Sequence, residues 1–200
     1  MFARANSIFG QLDRIEDGVA HLEGSDRAVV EATPGNRGLT TLVDRSAGVI
    51  VALSYWDELA QSSEAALTRA REGAALAARG DLVVEAFEVK AQEGASAGVP
   101  APAVRLTRFW LESTKVAAGL ELLDEEVLPR LRGGHGFCGA EILHDPSTGN
   151  GLLLTTWADD GAAECVGTAV GEISEQAHQV GMTFPRTESY ALVRSSGYAA

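Results

Sequence analysis

Cysteine is scarce in this chain, and so is positive charge. Cys138 and Cys165 are the only thiols in 200 residues, too few for a disulfide scaffold and too far apart for a CxxC site. The expected setting is therefore reducing and cytoplasmic. Sixteen Lys and Arg stand against 28 Asp and Glu, a formal net charge of -12, and no basic run breaks the pattern. Neutralising phosphates needs Lys and Arg in excess on one face, so nucleic acid is excluded as a partner. Anionic membrane surfaces are disfavoured on the same ground. No apolar run approaches the roughly 18 residues that a transmembrane helix requires. The segment Met1 to Asn6 lacks the charged region and apolar core of a signal peptide. Neither GxxxxGK[ST] nor GxGxxG before a helix occurs, so no nucleotide or flavin cofactor is expected.

What the chain does contain is itself, twice, at an offset of 101 residues. Gly35, Gly38, Asp44 and Trp56 fall without a gap on Gly136, Gly139, Asp145 and Trp157, and Arg4 falls on Arg105. A long-period repeat in two copies is a duplicated domain, because a solenoid needs about three units to bury its core. The expected organisation is residues 1–91, a linker over 92–102 rich in Gly, Ala and Pro, and residues 103–200.

Within each copy the pattern predicts β-α-β-β-α-β. In the first, strands are expected over 2–9, 39–44, 49–56 and 82–90. Leu12, Ile15, Val19 and Leu22 recur at helical spacing, and 57–79 is Ala-rich and free of proline. In the second, strands are expected over 104–111, 136–144, 151–157 and 189–194, with helices over 114–131 and 161–180. Each copy is thus a ferredoxin-like unit whose sheet has helices on one face only. The predicted fold class is α+β, two such repeats packed sheet to sheet as an intramolecular α+β barrel, as a monomer or a homodimer.

A glycine, a β-hairpin ending in tryptophan, a polar residue and an Ala-rich helix occur over 38–59 and again over 139–163. This arrangement resembles the antibiotic-biosynthesis-monooxygenase-like group of dimeric α+β barrels, here in a fused, tandem form. The resemblance implies a cofactor-independent monooxygenase-like enzyme acting on a small aromatic or polyketide-type molecule. The alternative it leaves open is a non-catalytic small-molecule-binding or stress-related protein of the same fold. Haem-degrading members carry an asparagine near the position of Asn6, with a tryptophan and a histidine on the helix after the hairpin. The helix over 61–79 has neither.

Several residues then qualify for a site, each with a plainer role beside it. Asn6 lies mid-strand and is a catalytic candidate, or a buried amide satisfied by backbone. Arg4 and Arg105 sit on equivalent strands, where a guanidinium can orient an anionic or phenolate substrate or pair with Glu85 or Glu88. Trp56 and Trp157 can line a ligand cavity or anchor the core. His135, in the glycine-rich loop 132–136, is a candidate general base. Tyr190 can orient a hydroxy-aromatic ligand or cap the core. His135, Cys138 and His144 fall within ten residues, but two groups on one strand and one in a loop do not make a tetrahedral set, so no metal is expected. The copies agree at turn and core positions and differ at polar ones, Asn6 against Thr107 and Val89 against Tyr190. Any ligand site is therefore expected in one copy only.

Overall fold

The computed structural model describes residues 1–63, 65–94 and 103–196. Eight strands close into a barrel in the order β1-β3-β2-β8-β5-β7-β6-β4. This is the order 4-1-3-2 of a ferredoxin-like sheet, used twice. The chain divides into two compact units. The first holds residues 1–87 together with the end of the last strand from Ala191, and the second holds Glu88 to Gly94 and residues 103–190.

In the first unit, β1 (Phe2–Phe9) pairs antiparallel with β3 (Val49–Trp56), which pairs with β2 (Asn36–Asp44). Residues 191–195 of β8 (Met182–Ser195) continue this sheet along β2. The helices are α1 (Ile15–His21), a π turn over Leu22–Asp26, α2 (Arg27–Ala32), a 3-10 turn over Leu59–Ser63, and α3 (Ala65–Ala77). Ile15, Val19 and Leu22 pack with Ile8, Ile50 and Ala74, which fixes the helices on one face of the sheet.

In the second unit, β5 (Ala103–Leu111), β7 (Asn150–Trp157) and β6 (Phe137–His144) repeat the pairing, and β4 (Asp81–Gly94) adds along β6 from Glu88 to Gly94. Its helices are α4 (Val116–Leu122), a π turn over Leu123–Val127, α5 (Leu128–Arg132), a 3-10 turn over Ala162–Glu164, α6 (Cys165–Glu172) and α7 (Ser174–Gln179).

The repeated residues have matching physical jobs. Asp44 Oδ1 accepts from the backbone N–H and hydroxyl of Ser46, and Asp145 Oδ1 does the same for Ser147, so each carboxylate ties one hairpin turn. These bonds hold both carboxyls below their usual range although partial burial pushes the other way. Trp56 Nε1 donates to Ser54 Oγ and Trp157 Nε1 to Thr155 Oγ1, both at 2.9 Å. Each indole buries its ring with its one polar atom satisfied. Gly35 and Gly136 take φ near +80°, a region that favours glycine, and their carbonyls accept from Asp57 and Ala158 after each tryptophan.

Four segments differ from the sequence expectation. The first helical stretch runs ten residues beyond Leu22, to Ala32. The long helices expected over 57–79, 114–131 and 161–180 each begin or break in a 3-10 or π turn. β4 extends to Gly94, so residues 92–94 are strand rather than linker, while 95–102 lie outside the described residues. β8 begins at Met182 rather than Ser189 and tolerates an exposed proline, Pro185.

One core residue has no counterpart in the other copy. His144 is wholly buried, stacks on Phe109 with ring centroids 6.5 Å apart, and neither ring nitrogen has a hydrogen-bond partner among the described residues. The equivalent position in the first copy is Val43. Burial pulls the imidazole pKa down from 6.5, Lys90 lowers it further, and Asp145 and Glu88 only partly oppose this. A folded-state pKa below the unfolded value means that the unfolded chain takes up the proton first. The stability that the neutral ring preserves is complete above about pH 6.5 and is lost as pH falls from there toward the folded pKa. We predict that His144→Leu flattens the pH dependence of the urea midpoint between about pH 7 and pH 5. An unchanged slope would contradict this assignment.

Candidate functional site

A narrow cavity of about 30 Å³ lies in the first unit, between the sheet and its helices. Strand alternation places Arg4, Asn6 and Ile8 on the helix-facing side of β1. Ala52, Ser54 and Trp56 complete the sheet wall from β3. Asp26 and Arg27 come from the break between α1 and α2, and Ser62 and Arg71 from the opposite helical segment.

The two walls are fastened by Arg27, whose side chain is 2% exposed. It makes two bonds of 2.8 Å to Glu23 and one of 2.8 Å to Glu31, on its own helical face. It also donates to the Leu39 carbonyl at 3.1 Å and to Thr41 Oγ1 at 3.1 Å on β2. Burial works against this cation, but the two carboxylates outweigh it and raise its pKa. Its charge is therefore spent on holding α2 to the sheet.

Arg4 and Arg71 also line the cavity, both half-buried. Burial lowers the pKa of both guanidiniums, and the charge of Arg71 lowers that of Arg4 further. Arg71 donates to the Ser62 carbonyl at 3.4 Å and to Thr68 Oγ1 at 2.6 Å, both neutral oxygens. Asn6 is 8% exposed; its Nδ2 donates to the Ala52 carbonyl at 3.3 Å, and its Oδ1 has no partner among the described residues. Asp26 brings a carboxylate to the same cavity, with His21 Nε2 2.9 Å from Oδ2, within ion-pair reach but off hydrogen-bond geometry. The cavity thus holds cationic anchors, an unsatisfied acceptor and a carboxylate able to take a proton.

At the 101-residue offset the second unit keeps the frame and fills the space. Ile8, Asp26, Arg27, Ala52 and Ser62 become Phe109, Val127, Leu128, Leu153 and Ala163, all buried in one apolar cluster. Arg71 becomes Glu172. Thr107, at the place of Asn6, shares a hydroxyl hydrogen bond of 2.9 Å with Thr187. A wider groove of about 360 Å³ in this unit, lined by Lys90, Glu121, Asp124 and Glu125, is open and carries mainly exposed carboxylates.

Of the residues singled out in the sequence, Arg4, Asn6 and Trp56 meet at the cavity. Arg105 is bound to Asp160, through its carboxylate at 3.1 Å and its carbonyl at 3.3 Å. Trp157 is wholly buried in the apolar cluster. Tyr190 is buried on β8, within the second unit. His135 is exposed in the turn after α5, because Gly134 packs against Trp157 and Cys165 and turns the loop outward. His135 and Tyr190 therefore do not line the cavity with Asn6. Asp26, Arg27 and Arg71 escaped sequence reasoning. The signal that finds them is the offset itself, since charged residues meet Val127, Leu128 and Glu172.

No protein-family profile matches the chain. The uncharacterized protein Rv2557 of Mycobacterium tuberculosis (strain ATCC 25618 / H37Rv) is 29% identical over 166 residues, covering 82% of this chain and 74% of its own. Among solved structures, a candidate monooxygenase of Lactobacillus acidophilus NCFM superposes with a TM-score of 0.70 at 9% identity, over 99% of this chain and 97% of its own. An anthrone oxidase-like protein gives 0.69 at 12% identity, over 100% and 96%. A ferredoxin-fold protein of Listeria monocytogenes 4b F2365, related to antibiotic biosynthesis monooxygenases, gives 0.56 at 11%, over 96% and 94%. The chain has the antibiotic-biosynthesis-monooxygenase-like α+β barrel fold. Full-length coverage by one chain makes it the fused form of that barrel. Among the described residues, no helix of this barrel is long and apolar enough to cross a membrane.

Arg27 is the residue on which the cavity wall depends. Replacing Arg27 with Met should cost about 3 kcal/mol of unfolding free energy, the lower end for removing one partner of a buried ionic group, because both glutamates keep some water. Urea denaturation measures this, and a loss within about 0.5 kcal/mol of zero, as at an ordinary surface site, would show that the fastening is not structural.

Proposed function

We propose that this protein is a cofactor-independent, monooxygenase-like enzyme that binds a small aromatic or polyketide-type molecule as an anion in the cavity of its first unit. The observation that carries the reading is the placement of Arg71, half-buried and donating only to neutral oxygens among the described residues, in one cavity with the carboxylate of Asp26. A guanidinium holds developing negative charge, and a carboxylate takes up a proton. The fold likeness to an anthrone oxidase-like protein and a candidate monooxygenase supports the same class of chemistry. A cytoplasmic setting belongs to this reading, in keeping with two free thiols.

In this scheme Asp26 removes a proton from an activated methylene of the substrate. The charge delocalises onto a ring oxygen, which Arg71 holds. The carbanion supplies the electron pair that reduces dioxygen, and a carbon–oxygen bond forms. Loss of the second methylene proton with the distal oxygen gives a new carbonyl and one water. Dioxygen is the oxidant and the substrate the reductant, so the step needs no other redox partner. A ring needs more room than the cavity offers, and the wall can yield at Gly24. There the backbone leaves helical geometry (φ -80°, ψ -129°), and nothing lies within 4 Å of the position a Cβ would take.

The cavity volume favours a second reading, a binding protein without turnover. About 30 Å³ is room for one or two waters and not for a ring. Oxygen-electrode assays with a panel of hydroxy-anthrones and phenols separate the two. The enzyme reading predicts oxygen uptake that falls by about 100-fold in Asp26→Asn and in Arg71→Gln, the scale of losing a general base or an oxyanion contact. No uptake across the panel would leave the binding reading in its place.

A further inference from the structure

The unsatisfied oxygen of Asn6 narrows the ligand beyond its charge. A buried carbonyl oxygen without a donor loses the hydration it would have in water, at a cost comparable to a lost hydrogen bond. Its amide orientation is fixed, because Nδ2 donates to the Ala52 carbonyl. What the cavity lacks on this side is therefore a donor. On the other side, Arg71 meets only neutral oxygens, with no carboxylate in ion-pair contact among the described residues. Glu72 acts on it only through space and does not outweigh burial, so what it lacks there is a negative charge in contact.

We propose that the cavity recognises a monoanion bearing a hydroxyl beside its charged oxygen, with the hydroxyl donating to Asn6 Oδ1 and the charged oxygen accepting from Arg71. The recognition unit is the head group of an α-hydroxy acid, or the equivalent pair of oxygens on a singly ionised ortho- or peri-dihydroxy aromatic. This rests on the reading of the cavity as a ligand site but not on turnover there. A simple carboxylate satisfies Arg71 and leaves Asn6 orphaned. A neutral hydroxyamide does the reverse. Only a ligand with both groups relieves both defects, which is how a polar site discriminates more sharply than an apolar one. The second unit cannot do the same, since Thr107 is bonded to Thr187 and Leu128 and Val127 fill the space.

Glycolate, acetate and glycolamide are the smallest probes that carry these head groups, and each needs the wall to yield less than a ring does. A ligand that binds only the folded chain raises its melting temperature. Thermal unfolding of the full chain at equal probe concentration and ionic strength should show glycolate raising the midpoint by about 2–4 °C. Acetate and glycolamide should each give less than half of that shift. Asn6→Leu should make glycolate and acetate equal, with Asn6→Ala as a second variant should the leucine form fail to fold. Arg71→Gln should abolish both anion shifts. Equal shifts with glycolate and acetate in the natural protein, a preference that survives both Asn6 variants, or no shift with any probe would each overturn the inference. Glycolate preference without oxygen uptake on the hydroxy-anthrone panel rejects the enzyme and keeps this inference. Oxygen uptake without glycolate preference does the opposite.

Discussion

Burying guanidinium charge between a sheet and its helices is the constraint that shapes the first unit. A cation taken out of water must be paired or it destabilises the fold. Arg27 meets the constraint by surrounding itself with Glu23, Glu31 and two oxygens of β2. That arrangement sets where α2 lies and therefore where the cavity wall stands. Among the described residues, Arg71 meets it with neutral oxygens alone. The difference between these two residues is the difference between a fastening and a binding group.

The second unit shows what the same frame becomes without that constraint. Its hairpin turns, its tryptophan and the hydroxyl under the indole all persist. Behind them the space is packed with Phe109, Val127, Leu128 and Leu153, a layer with little need of polar satisfaction. A duplicated fold of this kind is free to specialise, because one copy can carry stability while the other carries polar groups. The sequence carries the polar contrast between Asn6 and Thr107, and Asn6 lines the cavity of the first unit.

The barrel was legible in the sequence because its markers are short-range and repeated. Glycine at the turns, aspartate tying a hairpin and tryptophan at a strand end each answer a local need. The helical wall of the cavity was not legible. Leu22 is followed by Glu23-Gly24-Ser25-Asp26, which interrupts the apolar spacing, and the salt bridges of Arg27 to Glu23 and Glu31 help to hold the segment as helix. The long last strands hid for another reason. Residues 91–94 alternate between half-buried and exposed rather than between apolar and polar, and Pro185 reads as a breaker until it is seen with its side chain exposed. His135 drew attention as a histidine among glycines, but that glycine cluster serves close packing against Trp157 and Cys165.

The central claim is that Arg71 is kept for a ligand and not for the fold. The most direct measurement is the unfolding free energy of Arg71→Met by urea denaturation, in buffer free of carboxylates and phosphate. Replacing a half-buried cation that has no carboxylate in contact among the described residues by an apolar side chain of similar length should leave stability unchanged or raise it by about 1 kcal/mol, as replacing buried charge by packed hydrophobic residues often does. A loss of about 3 kcal/mol, the size expected when one partner of a buried ionic group is removed, would contradict the account.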